Sequence, residues 1–325
     1  MKYTLIILSA FLFGCESKKD VGSIEKIDDR FESIISPNAD LELLVEGFVW
    51  SEGPLWIESD KMLLFSDVPK NIIYKWSEKD GLGEYLSPSG YTQEEEGNLG
   101  EGSNGLLLNA EGQLVLCQHG DRRIALMESA LNNPTADFTT LANYFENKRF
   151  NSPNDAAYNS NGELFFTDPP YGLADLDHDK AKELKFNGVY RLNTEGKVSL
   201  LIDSLTRPNG IAFLNDSTFI VANSDKANAT WYQYQMRQDS IIGGKIFYDA
   251  TSAAQTEKGL PDGLKVSKKG IIFATGPGGV WIFDATGKLL GKIKTTLASA
   301  NCALDNEEKF LYITSHNYLL RVQLQ

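Results

Sequence analysis

Six fifteen-residue segments of this chain can be laid over one another. They are GPLWIESDKMLLFSD (53–67), NGLLLNAEGQLVLCQ (104–118), NDAAYNSNGELFFTD (154–168), NGIAFLNDSTFIVAN (209–223), DGLKVSKKGIIFATG (262–276) and NCALDNEEKFLYITS (301–315). Each holds an apolar run, a polar turn near its middle and a second run rich in Phe, Leu, Ile or Val, the pattern of a β-hairpin. A repeat of this kind constrains the fold more than any other feature, because one unit cannot bury its hydrophobic face without its neighbours. Further strand-like runs lie between the hairpins: IIYKWS (72–77), RRIALME (122–128), GVYRLN (188–193), TWYQYQM (230–236), GVWIFDATGKLLGKIK (279–294) and YLLRVQLQ (318–325). Unit starts are 51, 50, 55, 53 and 39 residues apart. Units of that length with about four strands are propeller blades. The spacing therefore predicts an all-β fold, a six-bladed β-propeller with four-stranded blades over residues 39–325. The last blade is short, and ADLELLVEGF (39–48) is placed to supply its outer strand and close the ring. The segment 130–150 is expected as a long connection with a turn or two of helix.

The chain has 325 residues, a length that a closed β fold reaches without splitting into domains. Its formal net charge of −13 would repel a phosphate backbone, so no nucleic-acid partner is expected. The opening stretch MKYTLIILSAFLFGCESKKD carries Lys2, an apolar run over 3–13 and then Gly14-Cys15. The run is too short to span a bilayer and is expected to act as a secretory signal over residues 1–14. LFGC resembles a bacterial lipobox, although Phe13 departs from the usual small residue. Lipidation of Cys15 would leave 15–38 as a flexible tether, place the protein in the periplasm or cell envelope, and make that anchor its one membrane contact. A plain signal cleaved elsewhere is the alternative. Cys117 and Cys302 fall in apolar runs and are expected as small buried side chains rather than as a disulfide.

In a ring, repeated positions converge. The starts of the inner strands bring Glu52 (just before Gly53), Asn104, Asn154, Asn209, Asp262 and Asn301 to one mouth of the central channel. So many polar groups leaving water together need compensation, and a hard cation accepting carboxylate and amide oxygens supplies it. A lone Asn-Gly or Asp-Gly is an ordinary turn; the recurrence at one phase is what carries weight. No His or Cys occupies these positions, which argues against a zinc site of the usual kind. The chain contains neither G-x-S-x-G nor H-E-x-x-H, and GPGG (276–279) lacks the residues of a phosphate loop.

The motifs SEGPLW (51–56), SNGLLLNAEGQLVLCQHGDRR (103–123), NSPNDAAYNSNGELFFTDPPYGL (151–173), RPNGIAF (207–213) and LPDGLKV (260–266) resemble the gluconolactonase and regucalcin (senescence marker protein) family, in order and over most of 40–325. The resemblance implies one divalent metal on the axis, held by Glu52, Asn154, Asn209 and Asp262. Ca²⁺ is the first choice, with Zn²⁺, Mn²⁺ or Mg²⁺ as alternatives. It implies hydrolysis of a small sugar lactone with Asp262 as general base, and Asn104 and Asn154 binding sugar hydroxyls. His119 and Arg122, in HGDRR, are candidates for substrate binding, with hydrogen bonding inside the fold as the alternative. Asp168, Tyr171 and Gly172 are expected as a rigid turn near the mouth or merely as a marker of the family's fold; His178 and His316 are expected as surface or packing residues, and the glutamates at 94–96 as a solvated loop. Two other functions stay open from sequence. One is hydrolysis of other esters or phosphotriesters, as in the related diisopropylfluorophosphatase. The other is a non-catalytic carbohydrate- or protein-binding propeller with a structural ion. The choice of ester depends on the pocket walls, expected from loops such as 83–102 and 171–187.

Overall fold

A computed structural model describes residues 19–36, 38–92 and 100–325. The leader, Cys15 and the glutamates at 94–96 lie outside the described residues. Within them the chain forms six antiparallel sheets of blade type around one axis. Blade 1 runs over 51–86, blade 2 over 103–142, blade 3 over 156–202, blade 4 over 208–249 and blade 5 over 264–295. Blade 6 takes three strands from 301–323 and its outer strand from Leu41–Glu46, which pairs antiparallel with the C-terminal strand Tyr318–Gln323. Ring closure by an N-terminal strand is thus as the sequence predicts.

The second strand of each blade explains the apolar runs in the repeat. Leu63 to Phe65, Leu114 to Cys117, Leu164 to Phe166, Phe219 to Ala222, Ile272 to Ala274 and Leu311 to Ile313 are all buried. These strands are covered on both faces, so strict alternation of polar and apolar residues is not required. Successive side chains point to opposite faces and feed different interfaces. Phe165 joins Ile211 and Val221 of blade 4, whereas Leu164 and Phe166 join Val115 and Cys117 of blade 2. Six hydrophobic clusters result, one between each pair of neighbouring blades. Cys117 and Cys302 are buried, free thiols within two of them.

Two expectations are corrected. The segment 130–150 holds no helix; it carries the outer strand of blade 2, Phe138–Ala142, and the small hairpin Tyr144–Phe145 with Lys148–Arg149. The expected tether is also largely structured. Gly22–Lys26 adds a fifth strand to blade 5, in register from Gly22 opposite Thr295 to Lys26 opposite Gly291. The following turn of helix, Asp29–Ser33, is capped by the Asp28 carboxylate and buries Phe31. Val21, Phe31 and Ile35 then enter the cluster between blades 5 and 6. Polar composition conceals this, because Ser23 and Lys26 of the edge strand remain in water.

The glycines after the axial residues have a packing reason. A Cβ on Gly53, which has φ of +50°, would lie 1.9 Å from the Asn104 carbonyl oxygen, and one on Gly210 would lie 2.3 Å from that of Asp262. Inner strands approach so closely at the axis that a side chain there collides with the next blade's axial residue. The Asn-Gly and Asp-Gly pairs therefore serve two purposes: a polar group for the axis, then room for the neighbouring blade.

Candidate active site on the channel axis

Glu52, Asn104, Asn154, Asn209 and Asp262 meet at the floor of a cavity of about 660 Å³. Its walls bring Trp50, Val68 and Pro69 from blade 1, Glu101 and His119 from blade 2, Tyr171 from blade 3, and Ser224 and Lys226 from blade 4. The segment before blade 5 contributes 254 and 257–260. Of the two loops expected to form the walls, 83–102 contributes Glu101 and 171–187 contributes Tyr171 among the described residues.

Hydrogen bonds decide which atom each amide turns to the axis. Glu101 Oε2 lies 3.1 Å from His119 Nδ1, and His119 Nε2 lies 3.4 Å from Asn154 Nδ2. With Nδ1–H donating to Glu101, the imidazole accepts from the Asn154 amide, and Asn154 Oδ1 is left for the floor. Asn209 Nδ2 donates to Ser224 Oγ at 3.2 Å, and the Ser224 hydroxyl in turn donates to the Pro261 carbonyl. Glu52 accepts from the Gly53 amide at 2.8 Å and from Asn301 Nδ2 at 3.3 Å.

Asn104 Oδ1, Asn154 Oδ1 and Asp262 Oδ1 are buried oxygens with no hydrogen-bond partner. Each such atom costs about 1–3 kcal/mol if nothing meets it. Burial, and then the charges of Glu52 and Asp155, hold the Asp262 carboxyl well above the usual carboxylate range. Burial likewise raises Glu52, with Asp155 adding to it, against the pull of the Gly53 amide. Two carboxylates that repel each other and amide oxygens without partners are relieved together by a positive charge. The donor set is all oxygen, the chemistry a hard cation takes. Among the described residues no group of three or more His, Cys, Asp or Glu stands together as a metal cluster; the set consists of two carboxylates completed by amides.

The structure thus brings together Glu52, Asn104, Asn154, Asn209, Asp262 and His119 from the residues singled out in the sequence. Arg122 is a correction. Expected at the substrate, it does not line the cavity; its buried guanidinium donates to the carbonyls of Phe150 (2.7 Å), Asn151 (3.1 Å) and Ala181 (3.0 Å). It clamps the segment that leads into Asn154. Arg122→Met is therefore expected to lower stability by about 1.5–3 kcal/mol in thermal unfolding, with little change in KM. A large rise in KM at unchanged melting temperature would return Arg122 to the substrate. Asp168 is a second pin on the same segment, accepting from the amides of Asn151 and Ser152 at 2.8 Å each. Tyr171 lines the cavity, and a Cβ on Gly172 would press on Ser152 at 2.9 Å and on His119 at 3.0 Å. His178 and His316 are exposed.

Sequence reasoning missed Asp155, Lys265, Glu101 and Ser224. Asp155 did leave a trace: it follows Asn154 where glycine follows Glu52, Asn104, Asn209 and Asp262. Glu101 and Ser224 left none, since each acts through a neighbour from another blade or another part of the sheet.

Fold and site define a class: six-bladed propellers whose axial oxygen donors form the floor of a small-molecule cavity. Residues 50–317 match the SMP-30/Gluconolactonase/LRE-like region, and the chain belongs to that family. It is 34% identical to a gluconolactonase of Zymomonas mobilis over 311 residues, spanning 93% of this chain and 86% of that one. It is 25% identical over 279 residues to a pentonolactonase of Haloferax volcanii, spanning 81% of this chain and 80% of that one. The solved structure of a gluconolactonase from Xanthomonas campestris superposes with a TM-score of 0.80 at 26% identity, covering 96% of this chain and 99% of that one. The protein is a lactone hydrolase.

Proposed function

We propose that this enzyme opens a sugar lactone in a metal-dependent reaction, with a divalent cation, Ca²⁺ in the first instance, held by Glu52, Asn154, Asn209 and Asp262. The observation that carries the reading is the convergence of three unpartnered buried oxygens, two of them on these ligands, at the cavity floor. When bound, a divalent ion supplies Lewis acidity toward the lactone carbonyl.

The chain's own residues do the rest. Asn104 Oδ1 accepts a sugar hydroxyl, and Trp50 and Tyr171 offer apolar ring surface to the faces of the sugar. The Asp262 carboxylate takes a proton from the attacking water as the water oxygen joins the carbonyl carbon. The ring C–O bond then breaks, Asp262 returns that proton to the ring oxygen, and an aldonic acid is released. Beside a cation Asp262 is a weak base, so its contribution comes chiefly from position. The Glu101–His119 pair holds Asn154 in the one orientation that offers oxygen to the axis. Export to the periplasm or cell envelope belongs to the same proposal; it is supported by the leader at 1–14 and the lipobox cysteine at 15, both outside the described residues.

Chelation tests the reading. Removal of metal is expected to abolish hydrolysis of glucono-1,5-lactone, and return of one ion among Ca²⁺, Zn²⁺, Mn²⁺ and Mg²⁺ to restore it. The same ion should raise thermal stability, by about 2.7 kcal/mol at a hundredfold excess over its Kd. Full activity in the presence of chelator would overturn the metal assignment. Metal binding without lactone hydrolysis would redirect it to other esters or phosphotriesters.

A further inference from the structure

The axis holds one more carboxylate than the cation reading uses. Asp155 stands where four other blades carry glycine. It is 4% exposed, and its Oδ2 has no hydrogen-bond partner. Its Oδ1 accepts from the Ala156 amide at 2.9 Å. An unpaired buried carboxylate behind two others is expensive, so something must balance it.

Lys265 is placed to do so. It sits on the inner strand of blade 5, three residues after Asp262, and reaches the axis from the opposite mouth, where it lines a second cavity with Leu108 and Ala303. Its ammonium donates to Asn301 Oδ1 at 3.3 Å. Asn301 Nδ2 in turn donates to Glu52 Oε2 at 3.3 Å. Among the influences that offset burial at Asp155, the Lys265 charge is the largest, and it acts on Glu52 as well. One amide thus joins the lysine to Glu52, while Asp155 feels the lysine through its charge.

We propose that Lys265 is a built-in counter-cation at the rear of the channel: through Asn301 it positions Glu52, and it reduces the charge of the axial group so that a divalent ion completes it. Glu52, Asp155 and Asp262 carry three negative charges when ionised and Lys265 one positive, which leaves the two that a divalent cation matches. The inference rests on the cation reading above. It makes Lys265 a positioning residue rather than a catalytic one, since it does not line the substrate cavity.

The test is a charge cycle read by calorimetric titration of the purified full-length protein with Ca²⁺. Lys265→Met should tighten Ca²⁺ binding by about tenfold or more, because a positive charge near the ion is removed. Asp155→Asn should weaken it by a similar factor, and the double variant should return near the parent. Tb³⁺ binding should gain more than Ca²⁺ binding in Lys265→Met, since the extra unit of charge favours a trivalent ion. Lys265→Arg should keep the parent affinity. Weaker Ca²⁺ binding in both single variants would mean loss of structure rather than charge balance and would overturn the proposal. Thermal melting without metal separates this from failure of the cation reading. If the parent binds none of the ions, the metal assignment falls, yet Lys265→Met should still lower the melting temperature more with Asp155 present than with asparagine there. Equal losses in both backgrounds would overturn the pairing itself.

Discussion

Asp262→Asn is expected to lower kcat for glucono-1,5-lactone by about 10²–10⁴-fold, the range for loss of a positioned proton acceptor, and to weaken metal binding while the β fold persists. Asparagine keeps the size and one oxygen of the side chain, so the close approach of Gly210 to the residue 262 backbone is unaffected. What disappears is a negative charge facing Glu52 and an oxygen able to take a proton. Without metal, the variant should melt at or above the parent's temperature, because one of two mutually repelling buried carboxylates has been neutralised. With metal added, the order should reverse, since the ion stabilises the parent more strongly. Steady-state hydrolysis, circular dichroism and melting with and without the ion measure all three effects. Normal turnover would remove Asp262 from the site. Loss of the β signal would make the variant uninformative about chemistry and shift the test to Glu52→Gln, for which the same reversal is expected.

The second large effect lies far from the axis. Phe31→Ala is expected to destabilise the domain by about 3–5 kcal/mol, the usual cost of emptying a buried phenylalanine site. Phe31 is fully buried, and its ring lies on Gly291, where a Cβ would come within 2.4 Å of it. The same strap supplies the outer strand of blade 5 just before the chain supplies the outer strand of blade 6. It therefore joins two blades whose shared cluster also contains Val21, Ile35 and Leu41. Truncation to residue 39 should cost at least as much and should expose the edge of Leu289–Thr295 to pairing with other chains. Denaturant unfolding of the variant and of the truncated chain measures both. An unchanged midpoint for Phe31→Ala would mean that the strap is dispensable and that the segment acts only as a tether.

The repeat alone carries the blade count, the hairpins and the closing strand, because the hydrophobic pattern of a strand pair is local and is stated six times. It also carries the axial set, since a position recurring at one phase in a ring has only one place to go. Arg122, Glu101, Ser224 and Lys265 are not legible in the same way. Arg122 has the same charge whether it meets a substrate or three carbonyls of its own chain. Glu101 and Lys265 act across separations of 18 and 36 residues, to His119 and Asn301. The strap at 21–35 reads as a linker because its composition is polar, while a few apolar side chains spaced along it suffice to dock it.

The sequence by itself determined the architecture and the chemical type of the axial site: oxygen donors, two of them charged, on six converging strands. Tertiary structure alone decided which amide atom faces the axis, which basic residues brace the fold instead of meeting the substrate, and what balances the third buried carboxylate. Periodicity is written along the chain and can be read there, whereas hydrogen bonding and charge balance depend on atoms that become neighbours only when the ring closes.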